Sequence, residues 1–190
     1  MNRSPFSLAL LTCVISAVMA VAVSAQKTGD IYTAVAAVKT TSGSTSETPV
    51  AFTIERKMPK SEADALLAAF QAGGAAGLRK ALTGVAPTGA VRVGAAKPVP
   101  SRLTLERATA TGKLITIVTD QPVVFLGIGM PGATTKAGYD FAVVDLIVDT
   151  KGNGTGTIAP AARVTVKQGV LVVEDQAATA IRLTGVTKVR

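Results

Sequence analysis

Apolar and polar side chains alternate with a period of two over most of this chain, which is the pattern of half-buried strands. Ile31–Lys39 alternates with Ile31, Val35 and Ala37 on one side. Thr41–Pro49, T-S-G-S-T-S-E-T-P, is polar without helical spacing and reads as a turn. Val50–Lys57 alternates again, with Val50, Phe52 and Ile54 inward and Thr53, Glu55 and Lys57 outward. These two runs predict an antiparallel hairpin with an exposed loop.

The period then changes. S-E-A-D, Ser61–Asp64, has the spacing of a capping box, and Ala63, Leu66, Leu67 and Phe70 follow at helical intervals. Gly73-Gly74 predicts a helix end, and Leu78 and Leu82 mark a short second helix over Ala75–Leu82. The leucine stripe is narrow, as one helical layer on a sheet requires. From Thr88 on, strands are predicted at Ala90–Gly94, Arg102–Ala108, Lys113–Thr119, Val123–Leu126, Tyr139–Asp149, Thr155–Lys167, Val170–Asp175 and Ile181–Lys188. They are broken at Lys97–Pro100, Thr111–Gly112, Gln121–Pro122 and Gln168–Gly169. Sequential strands usually pair, so the C-terminal half is expected to form a meander. The predicted class is mainly β with some α: an antiparallel barrel or sandwich with a helical hairpin inserted after the second strand.

Two loops stand out. Gly127–Gly138, G-I-G-M-P-G-A-T-T-K-A-G, is long and has no regular pattern, so it is either a functional lid or simply mobile. Asp149–Gly156, D-T-K-G-N-G-T-G, resembles a calcium loop at its first, fifth and sixth positions. Lys151 stands at the third position, where an oxygen ligand belongs, and Pro160 at the twelfth, where a bidentate Glu belongs. The expectation is therefore a hairpin turn on Asn153-Gly154 and no metal site.

The chain starts with a weakly basic Asn2-Arg3, an uncharged apolar run from Phe6 to about Val23, and A-V-S-A-Q. That order is a secretory signal peptide with cleavage between Ala25 and Gln26. Residues 1–25 would be the signal and 26–190 a single β-rich domain, secreted or periplasmic. Cys13 is the one cysteine and lies in the signal, so the mature chain has no disulfide or thiol chemistry. The net charge is +8, with Lys and Arg scattered singly and the densest patch at Arg56, Lys57 and Lys60. No basic–aromatic interleaving suits nucleic acid, and at most weak contact with an anionic surface is expected.

The absence of histidine removes the Ser-His-Asp triad, His-ligated zinc and the usual neutral-pH proton shuttle. No catalytic, cofactor or metal residues are assigned. Asp145 shares a strand face with Phe141, Val143 and Ile147, where a carboxylate is paired, solvent-facing or shifted in pKa. Arg107 and Arg163 are the expected partners. The aromatic rings beyond the signal, Tyr32, Phe52, Phe70, Phe125, Tyr139 and Phe141, are too sparse for a carbohydrate or base-stacking platform. An interior of Ala, Val, Ile and Leu is either filled or able to hold an apolar ligand at a barrel mouth. Met130 in the glycine-rich loop, Tyr139 at its end and Asp145 are the ligand-site candidates.

I-T-I-V-T-D-Q-P-V-V-F (Ile115–Phe125), Y-D-F-A-V-V-D-L-I-V-D-T-K-G-N-G-T-G (Tyr139–Gly156) and I-R-L-T-G-V (Ile181–Val186) resemble an uncharacterised family of exported proteins from acidobacterial-type genomes. The helical A-D-A-L-L-A-A-F segment is similar to that family's helix. The resemblance implies export and a shared fold, and it carries over no activity and no catalytic residue. In that family an arginine often follows the T-D pair; here Gln121 takes its place, so a role tied to that arginine does not transfer. The expected function is a non-enzymatic envelope protein that binds a partner protein or a small apolar ligand. The alternative is a carboxylate-dependent hydrolase using Asp145 and a second acid.

Overall fold

The computed structural model describes residues 29–39, 43–125, 138–167, 170–176 and 180–190. The order of elements is β1 (Asp30–Lys39), β2 (Thr45–Ile54), α1 (Lys60–Thr83), β3 (Gly89–Val93), β4 (Val99–Thr109), β5 (Gly112–Thr119), β6 (Phe141–Asp149), β7 (Asn153–Lys167), β8 (Val170–Gln176) and β9 (Ile181–Lys188). Strands β1 to β7 pair antiparallel in sequence, and β9 lies between β7 and β1. The ring is therefore closed by eight strands, a barrel rather than a sandwich. Long β7 divides its second edge: Asn153–Ile158 pairs with β9, and Ala162–Lys167 pairs with β8. Strand β8 thus stands outside the ring.

Eight strands leave an interior just wide enough for side chains to fill. Tyr32, Phe52, Phe125, Ile115, Ile117, Leu146, Ile158 and Leu183 fill it, each fully buried. The face predicted for β1 is corrected here: Tyr32, Ala34 and Ala36 point inward, and Ala37 is exposed. The register gives the reason. Tyr32 lies opposite Phe52 and Ala34 opposite Val50, and directly opposed residues share one face. β2 also begins at Thr45 rather than Val50, because the ladder with β1 runs out to Lys39–Thr45 although Thr45, Ser46 and Glu47 are exposed. The strand expected at Val123–Leu126 is not formed over the described Gln121–Phe125. β5 pairs directly with β6, leaving no open edge there, and Val123 and Phe125 instead insert into the core, with the Val123 N–H on the Pro160 carbonyl at 2.9 Å. The break expected at Lys97–Pro100 is shorter, since β4 starts at Val99.

The insertion after β2 is a helical element with a break at Gly74 (φ 58°, ψ −150°). Eight residues of continuous helix rise about 12 Å. A Cβ on Gly77 would nevertheless lie 2.4 Å from the Ala69 carbonyl oxygen, so the second segment folds back on the first. The expected capping box is absent. The helix starts at Lys60 with Pro59 as its N-cap, so Ser61 is already inside it, and Asp64 pairs with Lys60 at 2.7 Å. Glu62, in the first turn, holds Arg56 bidentately at 2.7 and 2.9 Å. Leu66, Leu78 and Leu82 bury against the outer face of the barrel with Leu103, Val118, Phe141 and Val143. Two apolar layers result, one inside the ring and one between the ring and α1.

Candidate functional site

Among the described residues the outer layer is incompletely covered. On the outward face of β4, β5 and β6 the registers align three rows: Leu103–Val118–Val143, Leu105–Thr116–Asp145 and Arg107–Leu114–Ile147. The first row is buried beneath the helix, the second is half-buried, and in the third Ile147 is 56% exposed. The uncovered part is a groove of about 610 Å³. Ala63, Leu66 and Leu67 of α1 form one wall, and Leu171, Val172 and Val173 of β8 form the other. Both walls follow from local pattern: the helical leucine stripe on one side, and on the other a short apolar strand displaced from the ring by β9.

Asp145 sits on the groove floor, on the face shared with Phe141, Val143 and Ile147 as expected. Its Oδ1 accepts a hydrogen bond of 2.6 Å from the Thr116 hydroxyl, its cross-strand neighbour, rather than pairing with Arg107 or Arg163. Arg107 lies at the open end, exposed and without an ion pair among the described residues. Glu106 also borders the groove. Its carboxylate is committed, with Oε1 on Lys113 at 3.1 Å and Oε2 on Lys57 at 2.9 Å. Burial pushes the Glu106 carboxyl up, but the Lys57 and Lys113 hydrogen bonds outweigh it and hold the group below its ordinary value. An acid held ionised in this way cannot serve as a general acid near neutrality.

The remaining candidates lie elsewhere. Tyr139 is buried, its hydroxyl donates to Asp175 Oδ2 in β8, and the Arg163 guanidinium stands 5.1 Å from its ring centre. The Asp175 hydrogen bond and burial both raise its pKa. Tyr139 therefore anchors the groove wall from behind and does not line the groove. Met130, Ala25 and Gln26 lie outside the described residues. The turn after β6 is a hairpin, but Asn153-Gly154 does not form it. Gly154 pairs with Val148, so the loop is Thr150–Gly152, with Gly152 in the left-handed position at φ 85°. Asp149 Oδ1 accepts the backbone N–H groups of Lys151 (2.8 Å) and Asn153 (2.9 Å), which accounts for an acidic residue at this corner.

Sequence reasoning missed Leu103, Leu105 and Leu114 of the groove floor, and the role of β8 as a wall. The available signal was L-I-T-I-V in β5, apolar at successive positions where a strand with a solvated outer face would alternate. Among the described residues no helix is long and apolar enough to cross a membrane. Comparison with protein-family models, with curated proteins and with solved structures finds no match.

Proposed function

We propose that this is an exported, non-enzymatic protein that binds a small apolar ligand with one polar end in the groove between α1, β8 and the outer face of β4–β6. The observation that carries this reading is a leucine-floored cavity of about 610 Å³ beside a ring interior packed with side chains. Small-molecule sites are typically apolar clefts of roughly 300–1,000 Å³ with a few polar groups that fix orientation. Arg107 at the open end and Thr116 and Asp145 on the floor are those groups here. The signal-like N-terminus and the family resemblance support export.

Among the described residues lining the groove the hydrolase alternative has no free second acid: Glu106 is tied to two lysines and Asp145 to a threonine. The test is displacement of N-phenylnaphthylamine by dodecanol, in the unaltered chain and in Val172→Glu. Val172 is 37% exposed in the groove wall, so the fold tolerates the change. The unaltered chain is expected to bind the probe saturably and the variant to lose binding at least tenfold, since a charge placed in an apolar site is strongly disfavoured. Equal binding by both, or none by either, would refute the site.

A further inference from the structure

The groove meets β8 along its edge. Side chains of a strand alternate between its two faces, yet three successive residues, Leu171, Val172 and Val173, line the cavity. A cleft that touches both faces of a strand also runs along the backbone between them. β7 occupies one edge of β8, and among the described residues no strand pairs with the other. No turn or loop backbone hydrogen bond reaches β8 among those residues either. An open edge presents unpaired N–H and C=O groups, a template for a further strand. Lysine, proline or a bulge usually blunts such an edge. Here the register slips only at Glu174, next to Asp175, and Val170–Val173 holds no charge and no proline.

The rest of the lining suits the side chains of an added strand. Leu66 and Leu67 of α1 and Leu105 and Leu114 of the floor offer apolar contacts. Arg107 stands at the open end. Of the two acids in the lining, Glu106 is tied to Lys57 and Lys113. The other, Asp145, lies two strands from Arg107, roughly 10 Å across the sheet at the ordinary strand spacing. The Arg107 guanidinium is therefore uncompensated where it stands, and its planar fork matches a carboxylate.

We propose that the ligand of the groove is the C-terminal end of an extended apolar peptide, which adds to the open edge of β8 and sets its terminal carboxylate on Arg107. This ligand class rests on the groove reading above and narrows it. Main-chain pairing supplies affinity, and alternate side chains on the leucine floor supply the preference for apolar residues. A simple hydrocarbon chain uses the floor alone and leaves the β8 N–H and C=O groups to water.

The test is displacement of N-phenylnaphthylamine from the full chain by the acetylated peptide Leu-Thr-Leu-Thr-Leu in three forms: free acid, carboxamide, and free acid N-methylated at every residue. The acid is expected to displace the probe saturably. The carboxamide should bind about tenfold more weakly, the scale of one charge-assisted hydrogen bond, and Arg107→Gln should remove the difference between the two. The N-methylated form keeps the side chains but has no main-chain donors, and it should bind at least tenfold more weakly than the acid. Equal displacement by the methylated and unmethylated acids would overturn the pairing with β8. Equal binding of acid and carboxamide by the unaltered chain would overturn the contact with Arg107. A probe displaced by dodecanol but by no peptide would overturn this ligand class and leave the groove reading standing, whereas a probe that never binds would remove both. Sedimentation as a dimer that no peptide dissociates would assign the β8 edge to a second copy of the chain and overturn the peptide.

Discussion

The two faces of the β5–β6 pair are both largely apolar, yet only one is complete. Inward, Ile115, Ile117, Val144, Leu146 and Val148 meet side chains from the opposite wall of the barrel and are buried to within 2%. Outward, burial declines along each strand, from Val143 at 6% exposed to Ile147 at 56%. A ring closes on itself, so its interior has a partner for every position. Among the described residues the outer layer is covered by α1 and β8, and they stop before the apolar surface does. The lesson is that packing within the ring serves stability, whereas the partial cover outside it leaves the apolar surface on which the proposed site rests.

Removing interior volume is expected to have the largest effect on stability. Phe52→Ala should destabilise by about 3–5 kcal/mol, seen as a lower denaturation midpoint, because a fully buried ring leaves a cavity that the closed barrel cannot collapse. A loss below about 1 kcal/mol would mean that the interior is loosely filled. Next comes the hairpin of α1. Gly77→Ala sets a methyl against the Ala69 carbonyl oxygen at 2.4 Å, and about 1–3 kcal/mol should be lost, with much of the groove wall displaced. Groove substitutions should reverse this ranking. Val172→Glu changes stability by about 0.5 kcal/mol or less, as surface changes usually do, while it abolishes probe binding.

The smallest effects are pH-dependent. Glu106 is held below its ordinary value of 4.5, so its contribution is present above that value and is lost as pH falls through the lower, folded value. Tyr139 is raised above its ordinary 10.0, so its contribution is present below that value and is lost as pH rises through the higher, folded one. Denaturant melts across pH should therefore show Glu106→Gln flattening the acid limb, and the alkaline limb as well because Glu106 helps to hold Lys113 above its ordinary value, whereas Tyr139→Phe flattens the alkaline limb. An acid limb untouched by Glu106→Gln would contradict its assigned partners.

Much of this was legible in the chain. The β-branched runs bounded by turn residues located β5, β6 and β9 closely, and Ile181–Lys188 matches the observed β9. The shared face of Asp145 and Val143 also followed from a period of two. The inward face of β1 was not legible, because Ile31 and Val35 are as apolar as Tyr32 and Ala34, and only the pairing with Phe52 decides between them. The groove was hidden for a related reason. In β5 both faces are largely apolar, and in β4 the apolar Leu103 and Leu105 face outward while Thr104 faces the ring, so local pattern cannot say which face is enclosed. Nor does any residue of β8 announce that β9 would take its place in the ring.

The proposed ligand site lies outside the barrel, and methyl-resolved NMR tests this most directly. With Leu and Val methyl groups labelled, dodecanol should shift Leu105, Leu114 and Val172 and leave Leu146, Leu183 and Val144 unmoved. Shifts concentrated in the second set, with the first set silent, would place the ligand inside the ring and contradict the assignment.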